Sequence, residues 1–120
     1  VSDTLLLDLI VTNPYDLQAP SLQVVYPQNN AAIQKTEGLR IRGSVNDNVE
    51  LNALQLQVLA PNGAMALPEV YYELTGQQAF QFDTTLALPG PFLPGAYRVR
   101  FVASDQRLNV FDGSVPITVQ

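Results

Sequence analysis

A proline-rich corner followed by a regularly alternating strand is the feature that most constrains what this chain can fold into. Residues 88–105 read LPGPFLPGAYRVRFVASD, and the second Pro-Gly pair marks a turn at 94–95. From Tyr97 onward, apolar side chains occupy every second position up to Ala103, and mostly polar ones lie between them. This is the pattern of a strand with one buried face. Because Tyr97 follows the corner by two residues, its ring can pack on the core while its hydroxyl reaches back to the loop backbone. We predict that this strand is central to a β-sandwich.

The same alternation recurs in short segments separated by turn residues. It is clearest in residues 39–46, where apolar Leu39, Ile41 and Val45 share one face with a glycine. In the last strand, Asp112-Gly113 suggests a bulge or break, and Pro116 favours an edge or irregular pairing. No window shows helical periodicity with caps. About eight strands are typical of a sandwich, with a β-barrel as the alternative. The predicted strands are 4–12, 21–26, 39–46, 54–59, 69–74, 79–86, 97–105 and 110–119, and 31–36 is predicted to be a short irregular or extended piece.

The composition excludes several functions. The 120 residues include no Cys and no His, which removes disulfides, thiolate metal sites, cysteine nucleophiles, the usual general base and the commonest zinc ligand. Six basic residues stand against eleven acidic ones, giving a net charge of −5. Nucleic-acid binding needs clustered Lys and Arg, so we predict no nucleic-acid partner, and the same count disfavours an anionic membrane surface.

The N-terminal stretch 4–12, TLLLDLIVT, is apolar on both faces. We assign residues 1–18 to an N-terminal strand and linker, and residues 19–120 to the sandwich domain. Left uncovered, the N-terminal strand would be a sticky edge. It either pairs within the domain or recruits a neighbouring domain or a second copy, so self-association through residues 5–11 is one prediction.

No segment has the properties of a membrane span or a signal peptide. The apolar run at 5–11 is far shorter than the roughly 18 residues of a span, and it contains Asp8. It also lacks the basic start of a signal peptide. The chain begins with Val1 rather than Met, which predicts that an upstream segment has been removed.

Residues 19–63 resemble bacterial immunoglobulin-like domains. The resemblance is carried by the prolines and glycines that bracket two strands and by the turn after the second strand: Pro20, Pro27, Gly38, Gly43, Asp47 and Asn48. The later run PGAYRVRFVASD, followed by Asn109, is similar to the end of the same domain type. Val99 stands where an antibody-type domain has its second core cysteine, and the chain contains no Trp. The resemblance therefore does not extend to the antibody branch.

This resemblance implies an all-β, immunoglobulin-like β-sandwich of about seven to eight antiparallel strands in two sheets. The similarity is to small domains of uncharacterised surface lipoproteins of Gram-negative gut anaerobes. It implies a non-enzymatic structural or adhesive module of an exported protein, located at the cell surface, in the periplasm or outside the cell.

Two predicted loops carry oxygen ligands suited to Ca²⁺. In an immunoglobulin-like topology, the loop after the second core strand and the last loop share one end of the sandwich. The first contains Asp47 and Asn48, and the second contains Asp105 and Asn109. Such oxygens could hold Ca²⁺, which takes six to eight of them. The alternative is that each aspartate caps the backbone of its own turn.

Arginines and aromatic residues provide weaker candidates for interaction. Arg40 and Arg42 should lie on one outer face, and Arg98 and Arg100 on the other, with cross-strand carboxylate or Gln neighbours. Of the adjacent tyrosines at 71–72, one should point outward, where it could stack on a sugar or join an interface. Between prolines, the aromatic ring at position 92 should close the bottom of the sandwich.

These observations favour a non-enzymatic interaction module with a protein or cell-surface glycan partner. Serines have no histidine to activate them, and a compact sandwich rarely offers a cleft for a catalytic carboxylate pair. The alternative function is a ligand-binding module that takes Ca²⁺ or carbohydrate at one end of the sandwich.

Overall fold

The computed structural model describes residues 19–120, which form eight β-strands. The predicted strand 4–12 and the start of the linker lie outside the described residues. The strands are β1 (Ser21–Tyr26), β2 (Ala31–Ile33), β3 (Leu39–Asn46), β4 (Leu51–Leu59), β5 (Val70–Glu73), β6 (Ala79–Leu86), β7 (Gly95–Asp105) and β8 (Val110–Val119).

The strands form two sheets. One has three strands in the order β1-β3-β6, and the other has five in the order β2-β8-β7-β4-β5. The short strand β2 runs parallel to β8, and the other pairs are antiparallel. The predicted all-β immunoglobulin-like sandwich is confirmed. Within residues 19–120 there is no helix, and hence none that could cross a membrane.

The core lies between the sheets and is built by the alternation seen in the sequence. In β3, Leu39, Ile41 and Val45 are fully buried while Arg40 and Arg42 between them are exposed. In β7, Val99 and Phe101 occupy the same kind of position on the opposite sheet. Apolar burial of this kind is the main favourable term in folding.

The corner before β7 has the predicted geometry. Tyr97 is buried, and its hydroxyl donates a 2.7 Å hydrogen bond to the carbonyl oxygen of Leu93. The centre of its ring lies 4.8 Å from the centre of the Phe92 ring, and Phe92 is buried in the core as predicted. The ring contact and the hydroxyl bond together fasten the proline-rich loop to the core.

The strand irregularities lie elsewhere than predicted. The pairing of β7 with β8 runs without a register shift across Asp112 and Gly113, so the predicted bulge there is wrong. A Cβ atom on Gly113 would lie 3.0 Å from the ring of Phe111, which shows that this glycine makes room for a ring. The register shifts fall instead at Val25 in β1 and at Asn52 in β4.

The described chain enters the sandwich at one end and leaves it at the other. Ser21 pairs with Asn46, directly before the loop that contains Asp47. At the other end, Val119 pairs with Gly95 beside the proline-rich corner. We call these ends the loop pole (residues 47–50, 74–78 and 106–109) and the corner pole (residues 34–38 and 87–94). The eleven residues of β7 separate them by about 35 Å.

Candidate functional site

Three loops meet at the loop pole. The amide of Gln106 donates to the carbonyl oxygen of Glu50 at 3.0 Å, and the amide of Asp47 donates to that of Gln78 at 2.8 Å. The carboxylate of Glu50 also accepts the amide of Gly76 at 2.8 Å. The prediction that the loop after β3 and the loop after β7 share one end is therefore correct.

Asp47 caps its own loop with one carboxylate oxygen, and its other oxygen has no hydrogen-bond partner among the described residues. Its Oδ2 accepts the amides of Val49 and Glu50 at 3.0 and 2.9 Å, which is the capping role of an aspartate in a turn. Oδ1 is buried and has no hydrogen-bond partner among the described residues. The residue is only 9% exposed. A buried acceptor of this kind needs a partner, because desolvating it without one is unfavourable.

Both carboxylate oxygens of Asp105 accept hydrogen bonds. It is 2% exposed, and its Oδ1 accepts the amides of Arg107 and Asn109, both at 2.9 Å. Its Oδ2 accepts the side-chain amide of Asn109 at 3.0 Å. Three donors from the β7–β8 loop thus surround this carboxylate, and they hold a turn in which Leu108 adopts a positive φ of 66°.

The four residues predicted as Ca²⁺ ligands all lie at the loop pole. Asp47 and Asn48 sit in the β3–β4 loop, and Asp105 and Asn109 bracket the β7–β8 loop. Within residues 19–120, no group of three or more acidic, histidine or cysteine side chains is placed to hold a metal ion. Among the described residues, the pole therefore offers one buried carboxylate oxygen without a partner, Oδ1 of Asp47.

The outer faces carry the two arginine stripes on opposite sheets, as predicted. Arg40 on β3 forms a two-pronged ion pair with Asp83 on β6, at 3.0 and 2.8 Å. Its guanidinium also lies 5.0 Å from the centre of the Tyr26 ring. The hydrogen bond from Arg40 lowers the pKa of Asp83 below its ordinary value.

The outer face of the five-stranded sheet contains a polar ladder in which Arg100 has both kinds of predicted cross-strand neighbour, a glutamine and a carboxylate. Gln57 donates from Nε2 to Glu69 at 2.7 Å, and its Oε1 accepts from Arg100 at 3.4 Å. Arg100 in turn pairs with Asp112 at 2.9 and 2.6 Å, and that hydrogen bond lowers the pKa of Asp112. Alternating glutamines in β4 were the available signal, but only the strand register shows which side chains they meet.

One aromatic ring lies exposed on this same face. Tyr71 is 55% exposed and lies opposite Gln55 in the pairing of β5 with β4. Its neighbour Tyr72 points inward, with its ring centre 5.0 Å from that of Phe80. The prediction that one of the two tyrosines faces outward is confirmed.

Arg98 and Arg100 line an open groove of about 400 Å³ on this face.

Comparison with known proteins supports the fold. No protein-family model matches the sequence, and no curated protein matches it. Among solved structures, the chain is similar to the fibronectin(III)-like modules of Clostridium thermocellum CbhA, with 16% identity and a TM-score of 0.52. That match covers 97% of this chain and 50% of the other, so the chain spans half the length of that structure.

CopC from Methylosinus trichosporium OB3b is also similar, with 15% identity and a TM-score of 0.46, covering 83% of this chain and 94% of the other.

Proposed function

We propose that this chain is a non-enzymatic structural and interaction module of an exported protein, acting as a rigid spacer between its two poles. The observation that carries the proposal is the path of the described chain, which enters beside Ser21 at the loop pole and leaves beside Val119 at the corner pole. The match to half of a structure of fibronectin(III)-like modules supports the role of one unit in a longer array. The same proposal includes export of the protein to the cell surface or periplasm. It also includes a relationship to the small domains of surface lipoproteins.

The pairing of β2 with β8 suits a module under tension. These strands run parallel, and the amide of Asn30 donates to Pro116 while that of Gln120 donates to Ile33, at 2.8 and 2.9 Å. A pull along the axis between the poles would slide β2 past β8. Because that motion loads all the bonds of the pair together, the fold should resist it.

Single-molecule force spectroscopy tests this role. The chain contains no Cys, so the full chain can be held through Ala19→Cys and Gln120→Cys at the two poles. We expect one cooperative rupture at a higher force than when the chain is held through the exposed pair Tyr71→Cys and Val110→Cys. The second geometry peels β5 from the sheet one bond at a time. Equal forces in the two geometries would contradict the spacer role.

A Ca²⁺ site at the loop pole is the second candidate function, supported by the unpaired, buried Oδ1 of Asp47. Asn48, Asp105 and Asn109 are the remaining proposed ligands. In Asp47→Asn the side chain can still accept the two loop amides through its one oxygen, but it loses the charge that attracts a cation. We expect Ca²⁺ to raise the Tm of the natural chain and not that of Asp47→Asn, with Asp83→Asn as the control. An unchanged Tm in the natural chain removes the proposal.

A protein or glycan partner would bind on the outer face of the five-stranded sheet. Tyr71 supplies an exposed ring, and the ladder through Gln57 and Arg100 supplies donors and acceptors beside it. An aromatic ring with planar polar groups is the kind of surface on which sugars stack. A glycan array probed with the full chain and with Tyr71→Ala is the measurement. Binding that survives the substitution would place the glycan elsewhere.

A further inference from the structure

β1 has a strand on only one side within the described part of the chain. It pairs with β3, and no described strand pairs with its other edge. Leu22 and Val24 point toward the core but stay only half-buried there, while Val25 is 49% exposed. β1 contains no charged residue. An edge with open backbone groups, apolar side chains and no charge is a template for a further strand.

The other edge strands in residues 19–120 are less suited to accept one. β2 has three residues and β5 has four, the last of which is Glu73. β6 is longer, but Asp83 lies on its outer face, bound to Arg40. A charge on an edge strand opposes the addition of another strand. β1 is therefore the best acceptor in the described sandwich.

The apolar stretch at residues 5–11 has a pattern that fits this edge. At period two, the side chains of Leu5, Leu7, Leu9 and Val11 share one face, which is wholly apolar. The other face contains Leu6, Ile10 and the charged Asp8. A strand added at a sandwich edge has one face toward the core and one toward solvent. The first face would cover the half-buried Leu22 and Val24, and the second would keep Asp8 in water.

We propose that residues 5–11 add to the free edge of β1 as an antiparallel strand within the same chain. Their seven residues match the six of β1, and residues 12–20 supply a nine-residue connection containing two prolines. That connection holds the segment near its acceptor at an effective concentration on the order of millimolar, which favours it over the same segment of a second copy. This inference does not rest on the spacer role and competes with it, because an antiparallel segment would begin at the corner pole, near Val119, and would place entry and exit of the chain at the same pole.

Hydrogen exchange on the ¹⁵N-labelled full chain tests the proposal with a matched pair of variants. We expect the β1 amides that do not bond to β3 to exchange at least about tenfold more slowly than exposed amides, equally at low and high protein concentration. Leu7→Glu should remove this protection, because it places a charge against the core. Leu6→Glu should preserve it, because that side chain faces solvent. The amides of Val99 and Phe101 in β7 report whether each variant remains folded.

Unprotected β1 amides in the natural chain would overturn the proposal, whatever the variants do. Protection that rises with concentration would overturn it in favour of a second copy. Loss of protection in both variants would also contradict the proposal. A strand added at this edge has one face in solvent, and a charge on that face should leave the pairing intact.

A spin label gives a second readout that separates the chain's own segment from that of a neighbour. With no native Cys, Leu6→Cys accepts a single nitroxide. We expect it to broaden the amide signals of Gln23 to Val25 in a ¹⁵N-labelled, spin-labelled chain. We expect no broadening when an unlabelled chain carries the nitroxide and is mixed with a ¹⁵N chain without it. Broadening in the mixture, or at β5 or β6 instead, would refute the assignment.

Discussion

Replacing Gly43 by alanine should destabilise this protein strongly, although the same change usually stabilises a strand. Gly43 lies in the middle of β3, between β1 and β6. A Cβ atom placed there would lie 2.2 Å from the backbone carbonyl oxygen of Gln23 and 2.8 Å from the ring of Phe82. Both are far inside an ordinary contact distance. The ring could rotate away, but the carbonyl is fixed in the β1 backbone.

The size of the effect follows from what must move. To reach an ordinary contact, β1 would have to shift by about 1 Å at Gln23. Overpacking a well-packed site costs about 1–3 kcal/mol, while alanine in a strand normally gains about 0.5–1 kcal/mol over glycine by restricting the unfolded chain. Because the obstacle is backbone, we take the upper part of the first range. The expected net loss is about 2 kcal/mol.

Urea denaturation followed by circular dichroism measures this loss. With an m-value of about 1–3 kcal/mol per molar, the midpoint should fall by roughly 1 M. Gly90→Ala is the matched control, because a Cβ there meets nothing within 4 Å and its φ is not positive. That variant should be as stable as the natural chain or slightly more so. If Gly43→Ala unfolds at the same urea concentration as Gly90→Ala, the close approach of β1 is wrong.

Three further substitutions and conditions have defined outcomes. Tyr97→Phe removes only the bond to the Leu93 carbonyl, so urea unfolding should show a loss of about 0.5–1.5 kcal/mol. Asp105→Ala removes a buried acceptor from three partly buried donors and should cost about 2–3 kcal/mol in the same assay. Asp83 and Asp112 have pKa values lowered by their arginines, so they stabilise the fold above about pH 4, and this contribution is lost as the pH falls through the lowered values. Thermal melts should show a smaller loss of Tm on acidification in the double variant with both residues changed to Asn.

Much of this fold could be predicted because strand alternation is local. The bounds of β3, β6 and β8 coincide with the predicted segments 39–46, 79–86 and 110–119. In each, side chains two apart share an environment, so period and turn residues locate the strand. The corner at Tyr97 was predictable for a similar reason, since ring and acceptor lie within four residues of each other.

The errors arose where a residue type has two structural uses. Gly113 suggested a bulge, yet the pairing of β7 with β8 stays in register there, and the glycine leaves room for the ring of Phe111. The real register shift in β4 falls at Asn52, just before the segment 54–59 that the sequence predicted as strand. This also explains why β4 begins at Leu51, three residues before the predicted start. A bulge depends on the partner strand as well as on the bulged residue, so one strand's sequence does not reveal it.

The candidate sites depend on register in the same way, which is why the sequence indicated their faces and the types of their neighbours but not which residues meet. Period two places Gln57 and Arg100 on an outer face, but the ladder exists because β4 and β7 pair these two residues directly. Shifted by one residue, the pairing would bring Gln57 against a buried position and leave Arg100 without its amide neighbour. The caps at Asp47 and Asp105 involve amides two to four residues away, so their types were predictable as turn residues. What local sequence could not reveal is the oxygen left over on Asp47, because a group is unpaired only in relation to everything packed around it.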